Sequence, residues 1–326
     1  NKATASIRET QKEVILRADD PFAEKEVDYN EAQLSFIETV LEGKPVALSG
    51  PAGSGKTTVV KGAIRKLIQQ DKVGVIKEDS HRWLHTGTPA IACVAFTNKA
   101  VENMKKVLPH ELRGNCITIH KLLEYGPVFF EEMNEQTGET KKTMAFVPKY
   151  DELTPLLSDL EILIIDEASM VAVDLWNVLA AALHHRIQII LIGDIQQLPP
   201  VFGKSIFIHS MQANIKKVEL TEVHRQALQS PIISLAHKIL AGQQIHPPKL
   251  EELNYDGEHG KLTIKPWKKR LSDIASLKQL SLFLPALMEA GQYDPMEDVI
   301  LTPFNVNFGT IEINKIIANH LISKIR

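Results

Sequence analysis

Val46-Ala47-Leu48-Ser49-Gly50-Pro51-Ala52-Gly53-Ser54-Gly55-Lys56-Thr57-Thr58 decides the fold. It opens on a short apolar run, passes through a glycine-rich turn, and continues from Thr57 to Gln69 at helical spacing. A strand, a turn of the form G-x-x-x-x-G-K-[ST] and a helix together make a phosphate cradle. The glycines let backbone N–H groups curl around phosphate oxygens, and the helix N-terminus adds the positive end of its dipole. Gly50, Pro51, Ala52, Gly53, Ser54, Gly55, Lys56, Thr57 and Thr58 are therefore the candidate nucleotide-binding residues. Lys56 is expected to reach the β- and γ-phosphates, and Thr57 to hold Mg²⁺ through its hydroxyl.

Working outward, Ile162-Leu163-Ile164-Ile165-Asp166-Glu167 reads as a buried strand ending in two acids. The carboxyl end of a parallel strand is where α/β sheets bind ligands. Asp166 is expected to hold Mg²⁺ with Thr57, and Glu167 to orient and deprotonate the attacking water. A third apolar run, Ile187 to Ile192, leads into Gly193-Asp194-Ile195-Gln196-Gln197-Leu198-Pro199-Pro200-Val201. Gln197 both donates and accepts hydrogen bonds, so it suits a sensor of the γ-phosphate.

Apolar runs at 46–48, 90–96, 162–165 and 187–192 alternate with helical stretches at 57–69, 99–107 and 175–183. That order predicts a parallel α/β sheet flanked by helices. A helix from Asn30 is expected to bury Leu34, Ile37, Val40 and Leu41. Residues 71–88 read as a surface insertion. Between Tyr125 and Tyr150, Val128-Phe129-Phe130 and Met144-Ala145-Phe146-Val147 flank a polar turn with Gly138, which predicts a β-hairpin. Beyond Arg225 come a Pro247-Pro248 break, a basic patch from Lys265 to Arg270, and a strand-like run from Val299 to Thr302.

The 326 residues are 44% hydrophobic and 24% charged, ordinary globular values, with a net charge of -3. A nucleic-acid contact must then come from a local groove rather than from bulk charge. Two cysteines are too few for a disulfide framework and point to a reduced, cytoplasmic or nucleoid-associated setting. No run of about 18 apolar residues is present, so no membrane partner is expected. The chain opens on Asn1 rather than Met, which reads as a portion of a longer protein.

The blocks in this order resemble superfamily 1 DNA helicases, and Asp166-Glu167-Ala168-Ser169-Met170 with Gln197-Leu198-Pro199-Pro200-Val201 resembles the RecD/Dda-like branch. At Phe96 that branch usually carries proline, and Phe96-Thr97-Asn98-Lys99-Ala100 is closer to UvrD-like helicases. The resemblance implies a RecA-like P-loop lobe that uses ATP and Mg²⁺ to move 5′→3′ on single-stranded DNA and to open duplex junctions. It implies a monomer that works beside replication or repair proteins. Gln33 takes the place of the glutamine that reads adenine. Phe96, Thr97, Asn98, Thr118, His120 and Asn305 fall at DNA-contacting positions, and Arg225 at that of the arginine reaching the γ-phosphate. The hairpin takes the place of the pin that splits the duplex, with Phe129, Phe130, Met133 and Phe146 as candidate tips.

The implied organisation is an N-terminal extension (1–28), a first lobe (29–124 and 151–227), the hairpin insertion (125–150) and the beginning of a second lobe (228–326). Most of that second lobe is expected beyond Arg326. An RNA helicase of the same superfamily and a nucleotide-gated binding module without motor activity remain open beside the leading reading.

Overall fold

Strands that are apolar along their whole length form where both faces of a sheet are covered. Six parallel strands, four of them largely apolar, build the core sheet of the first of two compact units, residues 1–240 and 241–326. The computed structural model describes residues 27–70, 90–108, 110–133, 140–150, 153, 160–221, 230–244, 253–257, 260–264, 274–302, 304–305 and 309–325. The expected extension up to residue 26, the 71–88 insertion, the hairpin tip at 134–139 and the basic patch at 265–270 lie outside the described residues.

The described elements of the first unit run α1 (Glu31–Leu41), β1 (Val46–Ser49), α2 (Lys56–Gln69), β2 (Ala90–Ala95), α3 (Asn98–Val107), a 3₁₀ turn (His110–Asn115), β3 (Cys116–Thr118) and α4 (Ile119–Leu122). They continue with β4 (Gly126–Met133), β5 (Thr140–Val147), β6 (Leu160–Asp166), a 3₁₀ turn (Ala168–Met170), α5 (Val173–Ala182), β7 (Gln188–Gly193), α6 (Ile206–Gln212), β8 (Lys216–Glu219) and α7 (Pro231–Leu240). The large sheet has the order β3-β2-β6-β7-β1-β8, and each neighbouring pair is parallel. Thus the expected mixed α/β architecture with a parallel sheet is present.

Alternation along the strands divides the core between the two sheet faces. Leu48, Ile164 and Ile192 pack on one side with Phe36, Ile37, Val59 and Ile64 of the helices. Ala47, Leu163, Ile165 and Leu191 pack on the other with Leu179 and Phe207. Each large side chain so buried contributes about 1.5–3 kcal/mol. Register then places Ile165 beside Leu191, and Leu191 beside Ala47. The carboxyl ends of β6, β7 and β1 therefore emerge together, which is what positions the site.

Helix α1 departs from its expected face. Leu34 is exposed, and the buried stripe is Gln33, Phe36, Ile37 and Val40. The stripe keeps the i, i+3, i+4, i+7 spacing, but a polar residue begins it.

The hairpin is antiparallel, with Phe129 opposite Met144 and Phe130 opposite Thr143. Its base is tied to α4: Lys149 N–H donates to the Leu123 carbonyl at 3.0 Å, and Tyr125 N–H to that of His120 at 3.0 Å. Glu124 accepts from the Tyr150 hydroxyl at 3.0 Å and from the Lys149 ammonium.

In the second unit a two-stranded antiparallel ribbon, β9 (Leu253–Gly257) with β10 (Gly260–Ile264), precedes α8 (Ile274–Glu289) and α9 (Thr310–Ile325). Leu280, Leu284 and Ile313 form its small core. The expected strand at Val299–Thr302 is absent. That segment is irregular, with Val299 and Leu301 exposed, and no neighbouring strand pairs with it among the described residues.

Candidate nucleotide and nucleic-acid site

Between β1 and α2 the chain must reverse direction in a few residues. Gly53 and Gly55 do so at φ of 80° and 86°, a left-handed conformation that costs glycine little. Ser54 steadies the turn, its N–H and its hydroxyl both donating to the Pro51 carbonyl, at 3.3 and 2.9 Å. Gly50 N–H donates to the Gly193 carbonyl at 3.3 Å, tying the loop to the end of β7. Ala52, Gly53, Thr57 and Thr58 stay exposed on the open side of the loop.

Lys56 folds back over its own loop, donating to the carbonyls of Gly50 and Pro51, the latter at 3.0 Å. Burial holds its ammonium below the ordinary lysine value, opposed by the charges of Asp194 and Asp166. Asp166 meets the converse cost. Burial pushes its carboxyl up to about 6, against the hydrogen bond from Glu167 N–H, while the Glu167 charge adds to the rise and Lys56 opposes it. An ammonium short of anions thus sits near a carboxyl short of cations. A polyphosphate and a divalent cation are the ligands that relieve both. The Thr57 hydroxyl and the Asp166 carboxylate are hard oxygen donors of the kind Mg²⁺ takes, with phosphate oxygens and water completing the set.

Glu167 follows directly in a left-handed backbone at φ 50°, rare for a residue with a side chain. Its N–H donates to Asp166 Oδ1 at 2.9 Å. Strain of this kind persists where surrounding structure fixes it and clusters at functional sites. One carboxylate oxygen, Oε2, accepts from the Thr97 hydroxyl at 3.4 Å. Thr97 lies two residues past the end of β2, whose Ala95 pairs with Asp166.

Five of the DNA-contacting candidates, Phe96, Thr97, Asn98, Thr118 and His120, lie at or just past the carboxyl ends of the neighbouring strands β2 and β3. Thr97 and Thr118 are both helix N-caps, accepting from Ala100 N–H and Lys121 N–H at 3.2 Å each. Phe96 is exposed, as is Asn98. The His120 ring stands edge-on between Phe96, at 5.8 Å between centroids, and Tyr125, at 5.1 Å. Burial lowers the His120 pKa. Gln197 is exposed in the turn after β7, its N–H donating to the Asp194 carbonyl at 3.2 Å.

Gln33 is buried and shares a capping box with Asn30. In the second unit, Asn305 is exposed, and its backbone carbonyl accepts the Ile311 N–H at 3.1 Å at the start of α9. Arg225 lies outside the described residues. Met133 ends β4, and its side chain is likewise outside them. Phe129 and Phe146 share one face of the hairpin with Met144, all more than half exposed, whereas Phe130 faces the other way.

Sequence reasoning missed Asp194, which directly follows β7 and whose charge acts on Lys56. It also missed Tyr125, Met144 and the cap at Asn30. The signal for Asp194 was legible: an acid closing a buried apolar strand.

A glycine loop between strand and helix, with an acid at the end of a parallel strand of the same sheet, defines a P-loop nucleotide-binding protein. The chain belongs to the AAA domain family, which matches residues 28–264. It is similar to the ATP-dependent RecD2 DNA helicase of Deinococcus radiodurans, 30% identical over 214 residues, 66% of this chain and 24% of that protein. The ATP-dependent DNA helicase dda of Enterobacteria phage T4 is 31% identical over 205 residues, 61% of this chain and 38% of that protein. The chain therefore spans between a quarter and two fifths of the length of these curated relatives. Among solved structures, the Pif1 helicase from Bacteroides in complex with ADP-AlF3 and ssDNA is 23% identical over 68% of this chain and 48% of that chain, with a TM-score of 0.40.

Proposed function

We propose that this chain is the ATP-binding part of a DNA helicase, coupling Mg-ATP hydrolysis to 5′→3′ movement on single-stranded DNA and to duplex opening. The observation that carries the reading is the meeting of the phosphate loop with Asp166 and Glu167 at one end of the sheet, beside the threonine-capped edge of Thr97 and Thr118. The names of the RecD2 and dda relatives support the same reading.

Loop amides and Lys56 bind the phosphates, and Lys56 leaves the carbonyls of Gly50 and Pro51 to do so. Thr57 and Asp166 hold Mg²⁺, which neutralises charge on the β- and γ-phosphates. Glu167 orients the attacking water and takes its proton. Gln197 senses the γ-phosphate, Gln33 meets the adenine, and Arg225 stabilises transition-state charge. The first lobe extends over 29–124 and 151–227, with 228–326 beginning a second.

Phe96, Thr97, Asn98, Thr118, His120 and Asn305 face the strand, and the hairpin aromatics meet the junction, where they replace lost base stacking. The protein works as a monomer. Strand displacement on duplexes with 5′ or 3′ single-stranded tails tests this on the full-length protein. Unwinding of the 5′-tailed duplex is expected, and strict dependence on a 3′ tail overturns the polarity.

A further inference from the structure

We propose that Glu124 is a positioning residue that fixes the hairpin to the segment carrying His120, so that advance along a strand is delivered to the hairpin's exposed aromatic face. The inference rests on the hairpin reading above and adds the contact that sets the hairpin's direction.

Glu124 stands at φ 48°, in the left-handed region. Glycine takes that conformation at little cost, whereas a glutamate there is strained. Its side chain does what a glycine could not. Oε1 accepts from the Tyr150 hydroxyl at 3.0 Å, and Oε2 accepts from the Lys149 ammonium. Lys149 Nζ also stands over the Tyr150 ring, 5.3 Å from its centroid. The hydrogen bond to Glu124 raises the Lys149 pKa, and burial together with the same carboxylate raises that of Tyr150. Both donors therefore keep their protons at neutral pH.

These residues occupy the two feet of the hairpin. Glu124 lies just before β4, and Lys149 and Tyr150 lie just past β5. One carboxylate thus joins both feet, beside the backbone bond from Lys149 N–H to Leu123. Above the feet, β4 and β5 pair with each other and with no other strand among the described residues. A two-stranded hairpin is marginal by itself, so its direction is set where it is fastened.

The fastening reaches a DNA-contacting candidate. Tyr125 N–H donates to the His120 carbonyl at 3.0 Å, and the two rings meet edge-on at 5.1 Å. A junction pressed against Phe129, Met144 and Phe146 therefore loads the Glu124 clamp. Without the clamp the hairpin yields, and ATP is hydrolysed without opening the pair ahead.

The test is the number of base pairs opened per ATP hydrolysed by the full-length protein on a forked duplex with both tails. Glu124→Gly removes the clamp and suits the left-handed backbone, so the variant is expected to fold. Lys149→Met with Tyr150→Phe removes both donors and leaves the backbone at Glu124 alone. Each is expected to lower the ratio about three- to tenfold, the span of one net hydrogen bond. Hydrolysis stimulated by single-stranded DNA stays near the parent's, and Lys149→Arg, which keeps a cation for Glu124, retains the parent's ratio.

The combined variant Phe129→Ala with Phe146→Ala serves as the reference for a hairpin that has lost its working face. If the reference lowers the ratio and the two clamp variants do not, the inference alone fails. A fall in Glu124→Gly without one in the Lys149 and Tyr150 pair assigns the effect to a loosened backbone and overturns it too. Equal loss of hydrolysis and opening in the clamp variants marks a merely structural role and also overturns it. If the reference leaves the ratio unchanged, the hairpin reading fails and the inference falls with it.

Discussion

Asn30 and Gln33 bond to one another twice: Gln33 N–H donates to Asn30 Oδ1 at 2.9 Å, and Asn30 N–H donates to Gln33 Oε1 at 3.1 Å. This closes the start of α1, the helix whose Phe36, Ile37 and Val40 enter the core. The Gln33 amide nitrogen is then the donor to offer N7 of adenine, and the second lone pair of Oε1 the acceptor for its N6 amine, which inosine lacks. The two residues thus separate a stabilising role from a recognition role. Asn30→Ala is expected to cost about 1 kcal/mol of stability, as loss of an N-cap does, and to leave base preference unchanged. Gln33→Ala is expected to lower stability and also to narrow the preference for ATP over inosine triphosphate. Thermal unfolding and competition titrations with the two nucleotides check both.

Asp166 makes metal-free stability depend on pH. Its folded-state carboxyl is raised to about 6 by burial, above the ordinary value of 3.8. The folded protein therefore holds this proton more tightly than the unfolded chain. Stability contributed here is present below about pH 4, is lost as pH rises through about 6, and stays lost above it. Asp166→Asn removes the cost of burying the charge while its amide oxygen still accepts from Glu167 N–H. In EDTA the variant is expected to melt higher than the parent at pH 8, by up to about 3 kcal/mol, and to match it near pH 4. Equal melting at pH 8 contradicts the buried-charge account. With Mg-ATP present the order reverses in function, because the neutral amide of the variant cannot supply the anionic oxygen.

The hairpin predicts a split between two activities. Phe129, Met144 and Phe146 project from one face and are exposed, so they contribute little to folding. The combined change Phe129→Ala with Phe146→Ala is expected to move stability by about 1 kcal/mol or less, twice the usual size of a surface substitution. Duplex opening is expected to fall severalfold, while ATP hydrolysis stimulated by single-stranded DNA persists. Phe130→Ala, on the other face, is expected to affect unwinding less. Equal loss of hydrolysis and unwinding in the double variant contradicts a junction-contacting role.

The phosphate loop was legible because its physics leaves little choice: two residues at positive φ need glycine, and the cradle needs a lysine and a hydroxyl at fixed spacing. Strands β1, β2, β6 and β7 were legible because their continuous apolar runs require covered faces, whereas β3, only three residues long, and β8, Lys216-Lys217-Val218-Glu219, carry no such run. Leu34 was misplaced because an apolar pattern cannot show a buried glutamine, whose burial becomes tolerable only through the bonds it exchanges with Asn30. The split between Phe129 and Phe130 follows from two-residue alternation and was available in the sequence. Thr97 and Glu167 are different. They stand 70 positions apart and meet only because Ala95 pairs with Asp166, a register that no local signal announces. Val299–Thr302 has strand-like composition, but composition does not provide a partner.

The central claim is that Mg-ATP docks on the loop that now holds Lys56 against the carbonyls of Gly50 and Pro51. A titration of fluorescent ATP with Mg²⁺ into the parent and Lys56→Ala tests it most directly. The account predicts affinity weakened by more than about tenfold in the variant, equivalent to about 1.4 kcal/mol, with the melting temperature of the nucleotide-free protein nearly unchanged. A variant that binds as tightly as the parent contradicts it.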